Sequence, residues 1–218
     1  MDHSSKFVES TDMSDARIFS VNPLVGYVND FASSEEIERI RADLDGVDAQ
    51  RSTISGVYGR KFDERRVAKS YKIPHGSLDS VNQVTNKVSL LFRLKKQLCE
   101  YPELIAYEKG GVFERHFDAA LNGSMAGKDA GKEERSQRVF TAVLYLNDDF
   151  SGGTTGFPRL DVELQPQSGR LAFWQNTRIG GLGVHPLSMH EGHPVTEGYK
   201  QIISFWFRDR IWTPHGGD

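Results

Sequence analysis

The stretch ELIAYEKGGVFERHFD (103–118) decides how the second half of this chain is read. Two short runs rich in apolar and aromatic residues flank a Gly-Gly turn, the signature of paired strands. Within FERHFD, Phe113, Arg115 and Phe117 fall on one face of a strand, and Glu114, His116 and Asp118 on the other. At about 3.3 Å per residue, His116 and Asp118 lie about 7 Å apart along that face. An imidazole and a carboxylate so placed can share a cation if the strand ends or bends there, and they suit Fe(II), Mn(II) or Zn(II). A solvated strand face carries the same pattern, so the triplet does not decide between the two.

Working outward, RVFTAVLYLN, GRLAFW and KQIISFWFR repeat the same short, β-branched and aromatic character. NDDFSGGTTGFP is a turn-rich connector, and NGSMAGKDAGKEERSQ (122–137) reads as a flexible loop. Upstream the rhythm is helical. FASSEEIERIRADLDG pairs Ser33 with Glu36 as a capping box, sets Ile37, Ile40 and Leu44 on one face, and offers Gly46 as a stop. SLDSVNQVTNKVSLLFRLKKQLCE carries Val81, Val84, Val88, Leu91 and Leu98 as one stripe. RSTISGVYGRKFDERRVAKSYKIPHG, between the helices, reads as a strand plus a mobile loop. Helices first and short strands later give a mainly β fold with flanking helices, an α+β arrangement in which a β-sandwich or jelly roll is buttressed by helices.

The 218 residues suit one domain, and the net charge of −3 gives no case for broad nucleic-acid or membrane binding. No apolar run approaches the roughly 20 residues of a membrane span. The polar start, without a signal-peptide core, and the single Cys99 point to a reducing cytoplasm. The expected organisation is a flexible segment 1–20 and one domain over 21–218, with helical support over about 21–100 and the jelly-roll core over about 101–210.

A third metal ligand must come from elsewhere: His75, His185, His190, His193 and His215 are the candidates. His215 lies in the terminal tail, and His185 and His193 precede prolines, which biases them to extended loop backbone. His190 is the strongest choice, because ten residues on Lys200 opens an apolar strand where a bare cation is out of place. Such a lysine either snorkels to an edge or meets a carboxylate ligand inside the roll.

H-x-D, a distant His and a basic residue ten positions later, with YLNDDFSGGTTGFP and HEGHPVTEGYK between and around them, resemble the iron(II)- and 2-oxoglutarate-dependent dioxygenases, in their prolyl 4-hydroxylase-like branch. The resemblance spans about residues 101–208, with weaker likeness in the N-terminal helices and in PLVGYVNDFASSEE. It implies a double-stranded β-helix, Fe(II), 2-oxoglutarate as cosubstrate, O2, and ascorbate as a stimulant. It implies His116, Asp118 and His190 as metal ligands, and Lys200, Tyr107 and Thr155 as cosubstrate contacts, with Thr154 an alternative to Thr155. Arg138 and Trp206 resemble residues on the substrate side, where packing is an equal reading. Asp118 favours hydroxylation, since related halogenases carry a small residue there.

The implied reaction couples decarboxylation of 2-oxoglutarate, to succinate and CO2, with hydroxylation of a prolyl or other residue of a protein or peptide. A free amino acid or small metabolite is the alternative substrate. Segments 55–71 and 122–138 could grip a peptide or be ordinary connectors, and the first carries a cationic strip suited to an acidic ligand. A non-catalytic jelly-roll module is the reading from another class. An oxygenase of nucleic-acid bases fits worse, because Arg208 and Arg210 follow Lys200 too late and the chain is acidic.

Overall fold

The computed structural model describes residues 15–52, 54–56, 59–61, 66–121 and 136–213. Two antiparallel sheets face each other. The major sheet has eight strands, in the spatial order Ala16–Val21, Leu24–Val28, Leu171–Gln175, Arg138–Tyr145, Lys200–Arg208, Glu103–Tyr107, Lys69–Lys72 and Gln50–Arg51. The minor sheet has five: Val162–Leu164, Thr155–Phe157, His190–Gly192, Val112–His116 and Arg66–Val67. Two-stranded ribbons, Ile54–Gly56 with Gly59–Lys61 and Ser151–Gly152 with Val195–Glu197, complete the described strands. This is the jelly roll expected, with two helices outside it.

The central strands read as apolar throughout because both faces of the major sheet are covered. Leu104, Ala142, Leu144, Phe173, Ile203, Phe205 and Phe207 face the helices, forming one core with Ile37, Ile40, Val81, Val84 and Val88. Their alternating neighbours Ile105, Val143, Tyr145, Trp174, Ile202 and Trp206 face the roll interior and pack on Phe157 and Leu164 of the minor sheet. Each fully buried large side chain contributes about 1.5–3 kcal/mol. The helix-facing core therefore carries much of the stability, and the interior face can hold polar groups.

The first helix, Ser34–Asp43, starts at the expected capping box: Ser33 Oγ accepts from Glu36 N–H, and the Glu36 carboxylate accepts from Ser33 N–H at 2.8 Å. The second, Asp79–Leu91, is shorter than its stripe suggests. Arg93 takes a left-handed conformation (φ 52°), and Leu94 N–H bonds back to Ser89 C=O at 2.8 Å. That Schellman closure ends the helix without a glycine and leaves Leu98 in a separate turn, Lys96–Leu98.

Three further expectations change. The segment 1–20 is not loose throughout: from Ala16 it pairs with Leu24–Val28 and extends the major sheet, while residues 1–14 lie outside the described set. The support region 21–100, read as two helices with one strand and a loop between them, supplies strands to both sheets. The alternation along FERHFD is broken. His116 pairs with His190 but Phe113 pairs with Gly192, so one extra residue bulges the strand. Phe113 therefore shares the face of His116 and stacks on its ring, with centroids 3.5 Å apart. Phe117 is half-buried, with the Arg159 guanidinium 5.8 Å from its ring centroid. The expected loops fall largely on 53, 57–58, 62–65 and 122–135, outside the described residues. Among the described residues no helix is long and apolar enough to cross a membrane.

Candidate active site

His116 ends its strand in the minor sheet and His190 begins the strand beside it, so the pairing sets the two rings side by side, with centroids 4.2 Å apart. Asp118 lies just past the strand end and turns inward. One ligand atom from each of His116, Asp118 and His190 falls within 4.8 Å of the others. Each histidine donates Nδ1–H to a backbone carbonyl, His116 to Glu114 at 2.7 Å and His190 to Ser188 at 2.9 Å. With Nδ1 engaged on a carbonyl, Nε2 is the ring nitrogen left to face the cluster. His116 Nε2 is 3.9 Å from Asp118 Oδ1, and His190 Nε2 is 3.6 Å from Asp118 Oδ2.

Burial, then the neighbouring His190, pushes His116 down to about 3, so its imidazole is neutral and free to ligate. Burial pushes the Asp118 carboxyl up, but His190, His116, Arg138 and the Thr141 hydroxyl together hold it below the usual carboxylate range. Two imidazoles and one carboxylate, converging and leaving coordination positions open, fit a divalent iron-like cation.

The same cavity reaches Lys200 at its other end, along with Tyr107, Thr155 and Trp174. Lys200 is 4% exposed, and Nζ donates to Gly153 C=O at 2.6 Å. Among the described residues no carboxylate pairs with it, and burial pushes its pKa down to about 7. A buried ammonium with donors to spare suits a carboxylate ligand. Lys200 sits 5.2 Å from the Tyr107 ring centroid and 5.5 Å from that of Tyr145.

The two threonines separate. Thr155 Oγ1 lies 2.9 Å from Tyr145 Oη inside the pocket, whereas Thr154 Oγ1 faces outward to Glu163 and His193. Trp206 lines the cavity, and the Arg138 guanidinium lies 4.0 Å from its ring centroid. Arg138 itself forks onto Glu100 at 2.6 and 2.8 Å, a carboxylate that also accepts from Arg208 at 2.8 Å. The remaining described histidines lie elsewhere. His75 bonds the Cys99 carbonyl, His185 caps the turn Pro186–Ser188, and His193 pairs with Glu163 and Glu191. His215 is outside the described residues.

Several pocket residues were not singled out from the sequence. Thr141 and Tyr145 share the interior face of the Arg138–Tyr145 strand, and period-two alternation from Val143 could have found them. The buried Arg66–Glu103 pair, 3.3 Å apart, had no local signal, because its halves come from different sheets.

Residues 102–208 match the 2OG-Fe(II) oxygenase superfamily. This match and the relatives below support a 2OG-Fe(II) oxygenase of the prolyl 4-hydroxylase-like kind, a superfamily whose cofactors are Fe(II), 2-oxoglutarate and O2. It is 29% identical over 130 residues to a putative prolyl 4-hydroxylase of Acanthamoeba polyphaga mimivirus, covering 60% of this chain and 53% of that one. It is 28% identical over 191 residues to human prolyl 4-hydroxylase subunit alpha-1, covering 86% of this chain and 35% of the human one. The chain thus spans about half the length of the first relative and about a third of the second. In fold it is similar to the viral collagen prolyl hydroxylase of Paramecium bursaria Chlorella virus-1 in complex with 2OG, with a TM-score of 0.63, 20% identity, and coverage of 84% and 95%. A Trichoplax adhaerens prolyl hydroxylase in complex with a hypoxia inducible factor peptide aligns with a TM-score of 0.63 at 17% identity, covering 84% and 82%.

Proposed function

We propose that this chain is an Fe(II)- and 2-oxoglutarate-dependent hydroxylase acting on a prolyl residue of a protein or peptide. The observation that carries the proposal is one cavity with a converging His116–Asp118–His190 cluster at one end and the buried, acid-free Lys200 at the other. His116, Asp118 and His190 would hold the metal. Lys200 would take the far carboxylate of 2-oxoglutarate as a point charge, with the Tyr145–Thr155 pair and Tyr107 beside it. Bound there, Fe(II) with 2-oxoglutarate and O2 supplies the oxidising power: one oxygen atom ends in succinate as CO2 leaves, and the other on the substrate C–H bond.

The protein's own share is positioning and exclusion of water. Phe113, Phe157 and Trp174 wall the histidines with aromatic surface. Trp206, under an Arg138 that Glu100 holds rigid, offers an apolar face with cationic character above it for the substrate ring. The prolyl relatives and the peptide complex of the Trichoplax protein favour a peptide over a free metabolite. A buried, unpaired Cys99 suits a reducing compartment, and the cytoplasm is the proposed setting.

The test is incubation with Fe(II), ascorbate, 2-oxoglutarate and proline-containing peptides or lysate, followed by succinate assay and mass spectrometry. The expected result is succinate with a gain of one oxygen on a prolyl residue. Oxygen gained only on small molecules would move the substrate to the metabolite class. No metal uptake and no succinate would leave a binding module in place of an enzyme.

A further inference from the structure

Asn176 follows the strand Leu171–Gln175 and is fully buried. Its amide nitrogen donates to Thr141 Oγ1 at 2.8 Å, and the Thr141 hydroxyl donates to Asp118 Oδ2 at 2.7 Å. Valence fixes this direction. An ionised carboxylate only accepts, so Thr141 must give Asp118 its single proton. Thr141 can then only accept from the amide, and Asn176 must turn its NH2 that way. The cost is visible on the other side of the amide, where Asn176 Oδ1 is buried with no hydrogen-bond partner among the described residues.

Asn176 also holds the second arm of the cluster through its backbone. Its carbonyl accepts from His185 N–H at 2.9 Å, the His185 carbonyl accepts from Ser188 Oγ at 2.8 Å, and the Ser188 carbonyl accepts Nδ1–H of His190 at 2.9 Å. Asp118 needs such a brace, because it stands beyond the last residue of its strand. Packing alone does not call for these side chains. Thr141 lies two residues from Val143 on the same face, between Trp174 and Trp206 on the flanking strands, where a valine has nearly the same shape. A smaller apolar residue at 176 would leave no orphan oxygen.

We propose that Asn176 and Thr141 are positioning residues: their one-way relay fixes which lone pairs of Asp118 face the metal, and Asn176 ties the Asp118 arm to the His190 arm. The inference rests on the metal centre proposed above. Losing the relay lets the carboxylate rotate or ligate through both oxygens, which weakens the metal and closes a coordination position.

The test is titration of the metal-free full chain with Co(II), following calorimetric affinity and ligand-field absorption, with thermal melting to verify folding. Thr141→Val is expected to weaken Co(II) by about 10–100-fold and to change the band shape, in line with other partners of metal ligands. Asn176→Ala is expected to weaken it less, by about tenfold. Asn176→Asp, which accepts the Thr141 proton in place of Asp118, is expected to be the worse of the two. Thr141→Ser restores affinity and spectrum, and Ser89→Ala, in the second helix, leaves both unchanged. Folded Thr141→Val and Asn176→Ala proteins with wild-type affinity and spectrum would overturn the inference while leaving the metal centre standing. A wild-type chain that takes no Co(II) overturns both. Should Thr141→Val fail to fold, Asn176→Ala decides on the same criterion.

Discussion

Leu104, Leu144, Ile203 and Phe205 point at the helices, while their immediate neighbours Ile105, Tyr145, Ile202 and Ser204 point into the roll. The same strands thus build two unlike regions. On the helix side the buried contacts are mainly apolar, and stability is the product. On the roll side Thr141, Tyr145, Lys200 and Ser204 are buried polar groups in an otherwise greasy lining. Lys200 shows the difference most sharply: it keeps one hydrogen bond, to the Gly153 carbonyl. Burying charge without a counter-charge costs stability, and only the apolar face behind the sheet lets the fold tolerate it.

The comparison can be broken by moving its boundary. His190→Ala is expected to give the largest loss: succinate formation falls by at least about 100-fold, while the melting temperature stays near wild type because the site contributes little to the helix-side core. Retained turnover would remove His190 from the metal set. Phe205→Ala attacks the other face. It should destabilise by about 3–5 kcal/mol in denaturant unfolding, with turnover per folded molecule unchanged. A loss of turnover without a loss of stability would mean the two faces are not separate.

Lys200→Met sharpens the comparison. It should raise the 2-oxoglutarate KM by about tenfold or more, the least expected of a charge-assisted hydrogen bond, with metal affinity intact. Burial sets the Lys200 pKa at about 7, and the ammonium is the form that holds a carboxylate. Cosubstrate affinity should therefore be flat below pH 7 and weaken as pH rises above it, and binding at pH 8 should take up a proton. Calorimetry in buffers of different ionisation heat checks the uptake. The same burial makes the ligand-free fold gain stability as pH rises from about 7 towards the ordinary lysine value of 10.5, because the unfolded chain holds the proton more tightly. The smallest effect is expected of Ser33→Ala, which removes a helix cap and costs about 1 kcal/mol without touching turnover.

Much of the fold was legible because each element announces itself locally. The Ser33–Glu36 box, the valine stripe of the second helix and the β-branched runs after Tyr101 all depend on near neighbours. The end of the second helix was not legible, since the left-handed Arg93 has none of glycine's signal. Nor was the bulge at Phe113–His116, because an extra residue shows only against the partner strand. In the pocket, His116, Asp118, His190 and Lys200 were singled out through the family resemblance that their order carries, and the structure brings them to one cavity. Tyr145, Thr141 and Asn176 were not, because a tyrosine, a threonine or an asparagine near a strand has many ordinary reasons to be there.

By itself the sequence determined most element types and a helix-buttressed sandwich or roll, and its resemblance to a family narrowed this to the jelly roll and to four candidate site residues. Only the tertiary structure decided which threonine of the Thr154–Thr155 pair faces inward, that Arg138 is tied to Glu100, and that Asn176 stands behind Asp118. Periodicity and motif order are carried by residues close along the chain. Hydrogen bonds between residues separated by tens of positions exist only once both sheets have paired in register.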